Sequence, residues 1–574
     1  MVVVILLSIL LAFLDGLGLT MFLPLLKLAD GSAQVSGEEL GSMSFIVSYL
    51  DGLGIKITLI NSLLFLLFFF CLKGIVSYFI SVYKVHTNQY FISKLRVKLT
   101  NLFTRYSFQS FVSSDVGRIQ NALTEEVGRV TNAFNYYLNC LQNIFLTVTY
   151  LLFVFIADWK FALLVCLGGG ISNVIYSSIY KKTKKESAKL SKNNSDYQGL
   201  IIQYISNFKY LKATGGLKTY AEKLTKVIFS IEKNNIKMGK FNSIIGSTRE
   251  PIIIAIVCMV IIIQIKVFNG NLSSILVSLL FFYRALGSFT SFQGGYNNFL
   301  NLHGSIENIQ SFEVELYNGI EKNGNIKLKT FKNNIVLENI GFGYQKDNGI
   351  LNNLSLNIER NKSVAFIGES GSGKTTLVNL ISGLLEPNNG TLLIDGIPLD
   401  ELNKESYQSR IGYIAQEPVI FNDSIFANVT FWAEPTPENI RRFEDAIQKA
   451  FLKSFVDGLP EKEQTMLGNN GINLSGGQKQ RISIARELYK DIDILVLDEA
   501  TSALDSETEK EIQQNIDALK GKYTVLIIAH RLSTIRNVDE IYLMEKGRIT
   551  AHDSFDNLLT KSDKFRKMVE LQEI

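Results

Sequence analysis

A glycine-rich segment, GESGSGKTT at residues 368–376, directly follows an apolar run of the chain. Its spacing fits GxxxxGK[ST], in which glycines let backbone N–H groups wrap phosphates at the start of a helix. Lys374 can neutralise the β and γ phosphates, and Thr375 can ligate Mg²⁺. The residues expected to hold the phosphates of a nucleotide are Gly368, Glu369, Ser370, Gly371, Ser372, Gly373, Lys374, Thr375 and Thr376.

Two adjacent acids end a second apolar run, DILVLDEA at residues 493–500. Asp498 suits a Mg²⁺ ion held through water, and Glu499 can orient and deprotonate the water that attacks the γ-phosphorus. Adjacent acids at the end of a strand are often only solvated. The phosphate-binding loop upstream favours the catalytic interpretation.

A third motif, LSGGQKQR at residues 474–481, opens an apparent helix with Ser475. Serine before a run of helix formers is a common helix N-cap. Free N–H groups at a helix N-terminus also bind phosphate, so a cap and an anion site would here be the same physical object.

These motifs resemble, in their order along the chain, those of the ATP-binding cassette (ABC) proteins, whose signature is LSGGQ. Four further positions match the family: Tyr344 in GFGY, Gln416 in YIAQEP, Asp505 in SALD and His530 in IIAHR. The resemblance implies that Tyr344 stacks on adenine, that Gln416 senses the γ-phosphate and helps place Mg²⁺ and water, and that His530 contacts the γ-phosphate. The implied catalytic residues are Glu499, His530 and Gln416, and the implied Mg²⁺ ligands are Thr375, Gln416 and Asp498.

The family also implies a head-to-tail dimer, in which each ATP lies between the Lys374 loop of one subunit and the signature of the other. The further residues expected at ATP from this resemblance are Ser475, Gly476, Gly477, Gln478 and Asp505. Every motif keeps its expected residue, so a homodimer would carry two hydrolysis-competent sites. A paralogous half-transporter is the alternative partner.

The first half of the chain holds the elements that a membrane would require, since a span needs about 20 apolar residues. Six candidate spans are predicted, at residues 2–26, 57–83, 136–157, 161–180, 251–267 and 272–286. The third and fourth are separated only by Asp158-Trp159-Lys160, which predicts a tight helical hairpin. The first run is too long and lacks the basic start of a signal peptide, so we expect it to be retained as a span.

Two long basic segments, between the second and third spans and between the fourth and fifth, predict a cytoplasmic location for both. Apolar residues recur three and four apart in them, so the spans are expected to continue as helices beyond the membrane. Both termini are then cytoplasmic in the inner (plasma) membrane of a bacterium, and the acidic loop at residues 29–56 faces outward. A net charge of +4 is too small to indicate a nucleic-acid partner.

The predicted fold class is an all-α, six-helix transmembrane domain followed by an α/β P-loop cassette. The expected boundaries are a membrane domain at residues 1–305, a polar linker at 306–329 and a cassette at 330–574, where short β-rich runs alternate with helical stretches. Four cysteines lie in or beside apolar runs without CxxC spacing and are expected to be buried hydrophobic residues.

Six spans before a cassette resemble the half-transporter exporters of the ABC family, with a short coupling helix expected near residues 108–113. ATP-driven export by alternating access is therefore the expected function. A cassette ATPase without transport is excluded by the spans, whereas an importer or an ATP-gated channel stays open. The first span resembles exporters of lipid-linked oligosaccharides, glycolipids and lipid A-type molecules; peptide or drug export is the alternative.

One carboxylate, Asp15, lies about halfway along the first apolar run, where a charge costs roughly 2.5–3.5 kcal/mol to insert. At 1.5 Å per helical residue, Asp15, Lys73 and Arg284 lie about 20, 15 and 18 Å inside their spans, so they can pair within a subunit or across a dimer. Two interpretations stay open. The three residues line a transport pathway for a polar headgroup, or they form a structural ion pair.

Overall fold

The computed structural model describes residues 2–21, 58–266, 272–344, 349–498, 514, 517–529 and 534–572. The chain divides into two compact units. The first comprises Met1–Tyr106 and Ser114–Ile320, and the second comprises Ser107–Ser113 and Glu321–Ile574. The boundary at residue 320 falls inside the predicted linker.

Long helices make up the first unit. In chain order the helices before this boundary are α1 (Val2–Thr20), α2 (Leu59–Phe103), α3 (Phe108–Ser113), α4 (Val116–Asn121), α5 (Val127–Ala157), α6 (Trp159–Ser206), α7 (Phe208–Ala213), α8 (Leu217–Lys266), α9 (Leu272–Asn301) and α10 (His303–Asn318). A π-helical turn, Ala122–Glu126, joins α4 to α5.

The described residues of the predicted spans lie in these helices, except Met21 and Thr58, which lie just outside α1 and α2. Four stretches in the described part are long and apolar enough to cross a membrane: Val2–Thr20, Leu59–Phe103, Val116–Ala157 and Leu217–Ile263. The fourth and sixth predicted spans lie in α6 and α9. The end of the first span, at residues 22–26, and the loop at residues 29–56 lie outside the described residues. The helices are longer than the spans, as expected; α2 has 45 residues and α8 has 50.

The predicted helical hairpin between the third and fourth spans is confirmed. Asp158 ends α5 in an extended conformation, with φ −155° and ψ 103°. Its side chain then caps α6 by accepting hydrogen bonds from the backbone N–H groups of Lys160 and Phe161 at 3.0 and 3.1 Å. A carboxylate at an N-cap is favoured because it satisfies donors that have no partner within the helix.

The residues just before the boundary at 320 are helical, although their polar composition predicts a linker. Helix α10 buries Ile309, Phe312 and Leu316 on one side. These positions are three, four and seven apart, which is the spacing of one helix face. Packing of this face against other helices of the first unit explains why a polar segment forms a helix here.

The second unit contains two β-sheets. Its strands are β1 (Asn334–Phe342), β2 (Leu351–Glu359), β3 (Ser363–Ile367), β4 (Asn389–Ile394), β5 (Ile397–Pro398), β6 (Ile411–Ile414), β7 (Ile494–Asp498), β8 (Thr524–Ile528), β9 (Glu540–Glu545) and β10 (Arg548–Asp553). Its helices are α11 (Lys374–Ile381), α12 (Lys404–Gln408), α13 (Ile425–Thr430), α14 (Pro437–Lys449), α15 (Lys453–Asp457), α16 (Gly476–Tyr489), α17 (Phe555–Lys561) and α18 (Asp563–Gln572), with 3₁₀ turns at Lys462–Gln464 and Asn469–Gly471.

The larger sheet has the strand order β10-β9-β3-β8-β7-β6 and is parallel except for β10. The smaller one, β2-β1-β4-β5, is antiparallel. Alternate residues of β3 enter different cores: Ala365 and Ile367 face one, and Val364 and Phe366 face the other. Both faces of the parallel sheet are therefore covered, as parallel sheets require. The helical first unit and the α/β second unit confirm the predicted fold class.

The predicted coupling helix α3 belongs to the second unit by its contacts, although it lies between two helices of the first unit in sequence. Phe108 is partly buried against the core that contains Val364 and Phe366. The Ser107 hydroxyl accepts a hydrogen bond from the Ser110 backbone at 3.2 Å and holds the start of α3. The segment is thus packed on the cassette, as the sequence predicts.

Candidate functional site

The phosphate-binding loop leaves the end of β3 and enters α11 at Lys374. Gly368 and Gly373 have φ values of +149° and +101°, in the region that side chains disfavour. A Cβ atom at Gly368 would lie 2.2 Å from the Met544 carbonyl oxygen, and one at Gly373 would lie 2.7 Å from Leu351. The glycines therefore give the loop a shape that side chains would block.

Two side chains of this loop are positioned to meet phosphate. Lys374 is buried, with 6% of its surface exposed, and its ammonium donates to the carbonyl oxygens of Gly368 and Glu369 at 2.9 and 3.0 Å. The Ser372 hydroxyl is buried and has no hydrogen-bond partner among the described residues. Buried polar groups are almost always paired, so Ser372 marks a position where a ligand oxygen fits. A backbone N–H from the β9–β10 turn, at Gly547, donates to the Ser372 carbonyl at 3.1 Å and supports the loop.

The carboxyl ends of the parallel strands bring further predicted residues to the same sheet edge. Residue Ile528 of β8 is in register with Phe366 of β3 on one side and with Asp498 of β7 on the other. On the next strand, Ile414 pairs with Leu497, which places Gln416 two residues beyond this edge. Ligands bind at the carboxyl edge of such sheets. The phosphate loop, Asp498 and Gln416 are thus assembled by sheet topology.

Asp498 is oriented by a residue that the motifs do not reveal. The phenol of Tyr413, on β6, donates a hydrogen bond of 3.0 Å to Asp498 Oδ2. Burial, and then the charge and hydrogen bond of Asp498, raise the pKa of Tyr413 above its ordinary value. The phenol therefore stays protonated at neutral pH and keeps donating. The sequence signal for this role is the aromatic residue in RIGYIAQ, one before the end of β6, the strand that pairs with β7.

The oxygen atoms of Thr375, Asp498 and Gln416 fit Mg²⁺ by their chemistry. Hydroxyl, carboxylate and amide oxygens are hard donors, and Mg²⁺ is usually held by one or two carboxylates together with water and substrate phosphates. In the described part of the chain, no group of three or more His, Cys, Asp or Glu residues could hold a metal ion.

The signature motif begins helix α16, as predicted. The Ser475 hydroxyl accepts a hydrogen bond from the Gln478 backbone at 3.2 Å, and the Gln478 side chain accepts one from the Ser475 backbone at 2.9 Å. This reciprocal pair is a capping box. Ser475 and Gly476 are exposed, so the start of α16 is open to a ligand from solvent. Gly477 lies in its first turn.

The remaining predicted site residues differ in what the structure describes. The ring of Tyr344 is 44% exposed and lies 5.1 Å from the Phe342 ring, at an interplanar angle of 83°. Glu499, Asp505 and His530 lie outside the described residues. Their roles stay predictions.

The first unit brings together the three charged residues of the apolar spans. Asp15 is 1% exposed and lies 2.5 Å from the Lys73 ammonium and 3.6 Å from Arg284 Nε. Tyr150, which sequence reasoning missed, donates a hydrogen bond of 2.6 Å to Asp15 Oδ2. Four helices, α1, α2, α5 and α9, contribute to this cluster. The sequence left pairing within a subunit or across a dimer open, and these contacts lie within one subunit. A role in transport stays a prediction.

Two family models match the chain. The ABC transporter transmembrane region matches residues 1–288, and the ABC transporter model matches residues 351–502. The second range contains the phosphate loop, Gln416, the signature and Asp498.

Curated relatives and a solved structure agree with these matches. An ATP-dependent lipid A-core flippase from Saccharophagus degradans is 33% identical, covering 74% of this chain and 72% of the relative, and one from Cupriavidus metallidurans is 31% identical over the same shares. The heterocyst differentiation ATP-binding protein HepA from Nostoc is 29% identical over 87% of this chain and 82% of the relative. A bacterial Atm1-family ABC exporter with ATP bound has the same fold, with a TM-score of 0.78 at 22% identity over 100% of this chain and 98% of that one. The chain therefore belongs to the ABC transporter family, and it is an ATP-binding exporter that couples ATP hydrolysis to transport.

Proposed function

We propose that this exporter moves an amphipathic lipid, of the lipid-linked oligosaccharide, glycolipid or lipid A type, from the cytoplasmic side of the membrane by alternating access. The observation that carries the proposal is the identity of 31–33% to two proteins named lipid A-core flippases, extending over 74% of this chain. A peptide or drug exporter is not favoured by these relatives. An ATP-gated channel has no support among them.

The ATP cycle is assigned to residues at the carboxyl edge of the parallel sheet. Lys374 and Ser372 hold the phosphates, and Tyr344 stacks on adenine. A Mg²⁺ ion bound with ATP would be held by Thr375, Asp498 and Gln416 and would offset the charge that develops on the transferred phosphoryl group.

Water activation is assigned to the residues that follow β7 and β8 in sequence. Glu499 accepts the proton of the attacking water, and His530 contacts the γ-phosphate. Gln416 places the water and senses the γ-phosphate. The position of Asp498 at the end of β7 supports the assignment of its neighbour, since it sets the strand end at the same edge as the phosphate loop.

A second copy of the chain, or a paralogous half-transporter, completes each site. Its signature residues Ser475, Gly476 and Gly477 contact the γ-phosphate of the first subunit's ATP, with Asp505 beside them. The exposed start of α16 supports this, because the capping box engages the N–H groups of Ser475 and Gln478, and those of Gly476 and Gly477 have no partner within the helix and suit an anion. Closure of the dimer then acts on α3, which packs with the cassette.

The exporter is assigned to the inner membrane of a bacterium, with both termini cytoplasmic. The basic segments that follow the second and fourth predicted spans support this orientation by the positive-inside rule.

Reconstitution in liposomes tests the proposal. We expect ATP to drive movement of a fluorescent glycolipid between leaflets, and Glu499→Gln to bind ATP but to hydrolyse it at least about 100-fold more slowly, because a general base contributes 10²–10⁴-fold. Glu438→Gln, an exposed acid on α14, is the matched control and should leave both activities unchanged. Transport of peptides or drugs without movement of glycolipids would overturn the lipid assignment, and normal turnover by Glu499→Gln would overturn its role as base.

A further inference from the structure

A cavity of about 700 Å³ lies within the first unit, between α5, α6, α8 and α9. Most of its wall is apolar, from side chains such as Leu151, Ile253, Ile256, Phe282, Leu286 and Phe289. Along α6 it reaches from Cys166 to Lys181, a distance of about 22 Å at 1.5 Å per residue. This exceeds one leaflet of a hydrocarbon core that is roughly 30 Å thick. The cavity is thus long and apolar enough for lipid chains.

One end of this cavity is polar. Tyr180 and Lys181, at the C-terminal side of its α6 wall, both line it. Tyr180 is 8% exposed, and its hydroxyl is buried without a hydrogen-bond partner among the described residues. Its ring stands edge-on to Tyr296, another lining residue, at 5.2 Å. A buried hydroxyl in a cavity wall costs free energy unless it is paired, so a ligand atom that accepts its hydrogen bond would stabilise this end.

A second cation, Arg249, interacts with Tyr180, although it is not among the residues that line the cavity. The guanidinium of Arg249, on α8, interacts electrostatically with Tyr180 and Tyr176 and reaches within 3.5 Å of the Cβ position of Gly294. Its Nε atom is buried without an acceptor in the part of the chain that the structure describes. Among those residues no carboxylate forms an ion pair with Lys181 or Arg249, unlike Lys73 and Arg284, which share Asp15.

Charge and polarity together define the ligand. An exposed ammonium and a buried phenol at one end of an apolar cavity, with the Arg249 guanidinium interacting with that phenol, favour an anion that brings apolar chains with it. Guanidinium, ammonium and hydroxyl donors suit the oxygen atoms of a phosphate, which form short, charge-assisted hydrogen bonds.

We propose that Tyr180, Lys181 and Arg249 form the headgroup subsite of the substrate cavity and bind the anionic, phosphate-type headgroup of a lipid, whose chains lie against Phe282 and Phe289. This inference rests on the proposed lipid export and specifies its substrate as an anionic lipid. It is separate from the Asp15 cluster, whose charge is already shared within the protein.

Binding to the purified full-length protein in neutral detergent tests the subsite without requiring transport. The probes are a fluorescent phosphatidic acid, a diacylglycerol with the same chains and label, and glycerol phosphate. We expect phosphatidic acid to bind at least tenfold more tightly than diacylglycerol, and glycerol phosphate to compete only weakly because it lacks chains. Lys181→Gln should weaken phosphatidic acid binding about tenfold, because it removes a charge-assisted hydrogen bond, and should leave diacylglycerol binding unchanged.

Matched variants separate the subsite from general effects. Lys182→Gln removes the neighbouring lysine, which is exposed like Lys181 but is not among the residues that line the cavity, and should leave phosphatidic acid binding unchanged. Tyr180→Phe keeps the ring and should weaken it severalfold. Gel filtration and ATP binding verify that each variant is folded. If Lys181→Gln does not fold, Lys181→Met takes its place.

Each outcome bears on one proposal. Equal affinity for phosphatidic acid and diacylglycerol, or equal losses in Lys181→Gln and Lys182→Gln, would overturn the headgroup subsite. A third outcome separates the two proposals. If phosphatidic acid binds selectively and Lys181→Gln abolishes this binding, the subsite is supported. If the same protein moves no lipid when ATP is supplied, the proposed export is overturned.

Discussion

The Asp15 carboxylate lies 2.5 Å from the Lys73 ammonium, although the two residues are 58 positions apart and belong to different helices. Tyr150 donates to the other carboxylate oxygen at 2.6 Å, and Arg284 lies 3.6 Å from it. Asp15 is nearly inaccessible, whereas 24% of the Lys73 side chain and 39% of that of Arg284 are exposed. The geometry supports a structural ion pair at the carboxylate and leaves only the cations accessible.

Replacing this carboxylate should destabilise the membrane unit. Asp15→Asn leaves Lys73 without its nearest counter-charge, and breaking a buried ion pair costs about 3–5 kcal/mol. We expect the free energy of unfolding to fall by an amount near the lower limit of this range, because Lys73 is partly exposed. The thermal midpoint of the detergent-solubilised protein measures it. Asp15→Asn combined with Lys73→Met should recover part of the loss; an unchanged midpoint in Asp15→Asn would contradict a structural role.

Removing one hydroxyl should alter the response to Mg²⁺. Tyr413→Phe deletes the donor to Asp498 but keeps the ring, and partners of metal ligands typically contribute 10–100-fold to metal affinity. We expect the Mg²⁺ concentration for half-maximal ATP hydrolysis to rise about tenfold, with little change at saturation. Tyr489→Phe, which loses a hydroxyl bonded to Asn439, is the control. The same Mg²⁺ dependence in both variants would refute a positioning role for Tyr413.

The shape of the phosphate loop can be tested at one glycine. Gly373→Ala places a Cβ atom 2.7 Å from Leu351 at a φ of +101°, so the loop must shift. We expect affinity for a fluorescent ATP analogue to fall at least tenfold. Gly396→Ala has a similarly unfavourable φ of +80°, but its Cβ would meet nothing within 4 Å. It should lose about 1 kcal/mol of stability from backbone strain and bind ATP normally. Equal losses of ATP affinity would show that collision in the loop is not the cause.

Acid should remove one contact that fixes the start of β3. Asp539 Oδ2 accepts from the Ser363 backbone at 2.8 Å and from its hydroxyl at 2.6 Å. Burial opposes ionisation, but the two hydrogen bonds from Ser363 outweigh it and lower the pKa of Asp539. A lowered folded-state pKa stabilises the fold above the unfolded value of about 3.9 and loses this effect as the pH falls through the folded value.

Asp539→Asn should therefore be less stable than the wild type at neutral pH by about 1 kcal/mol or less, since the carboxylate is exposed to screening. The difference should persist down to about pH 4 and shrink at lower pH, where the wild type is protonated as well. Urea unfolding followed by tryptophan fluorescence between pH 2.5 and 7 measures it. A difference that stays constant to the lowest pH would show that the charge of Asp539 is not responsible.

Local sequence patterns predicted most of the cassette, because its chemistry follows from strands that end in functional residues. The apolar runs before Gly368, Gln416 and Asp498 become β3, β6 and β7, and parallel pairing then requires their carboxyl ends to share one edge. The N-cap role of Ser475 was also readable, since a capping box involves only positions three apart.

The polar segment at residues 303–318 shows where local pattern was insufficient. Its Asn, Gly and charged residues resemble a linker, yet Ile309, Phe312 and Leu316 are buried. Covering these three residues with a neighbouring surface stabilises the helix, because tertiary packing contributes more than intrinsic propensity.

The sequence by itself determined the six apolar spans, the order of the cassette motifs and the presence of charges within the spans, because these depend on composition and short-range spacing. Only the tertiary structure decided which charges meet. Asp15 is shared by Lys73, Tyr150 and Arg284, while Lys181 faces a cavity beside Tyr180. The physical reason is that a side chain's partner depends on how distant helices rotate and pack against one another, which no spacing within a single helix specifies.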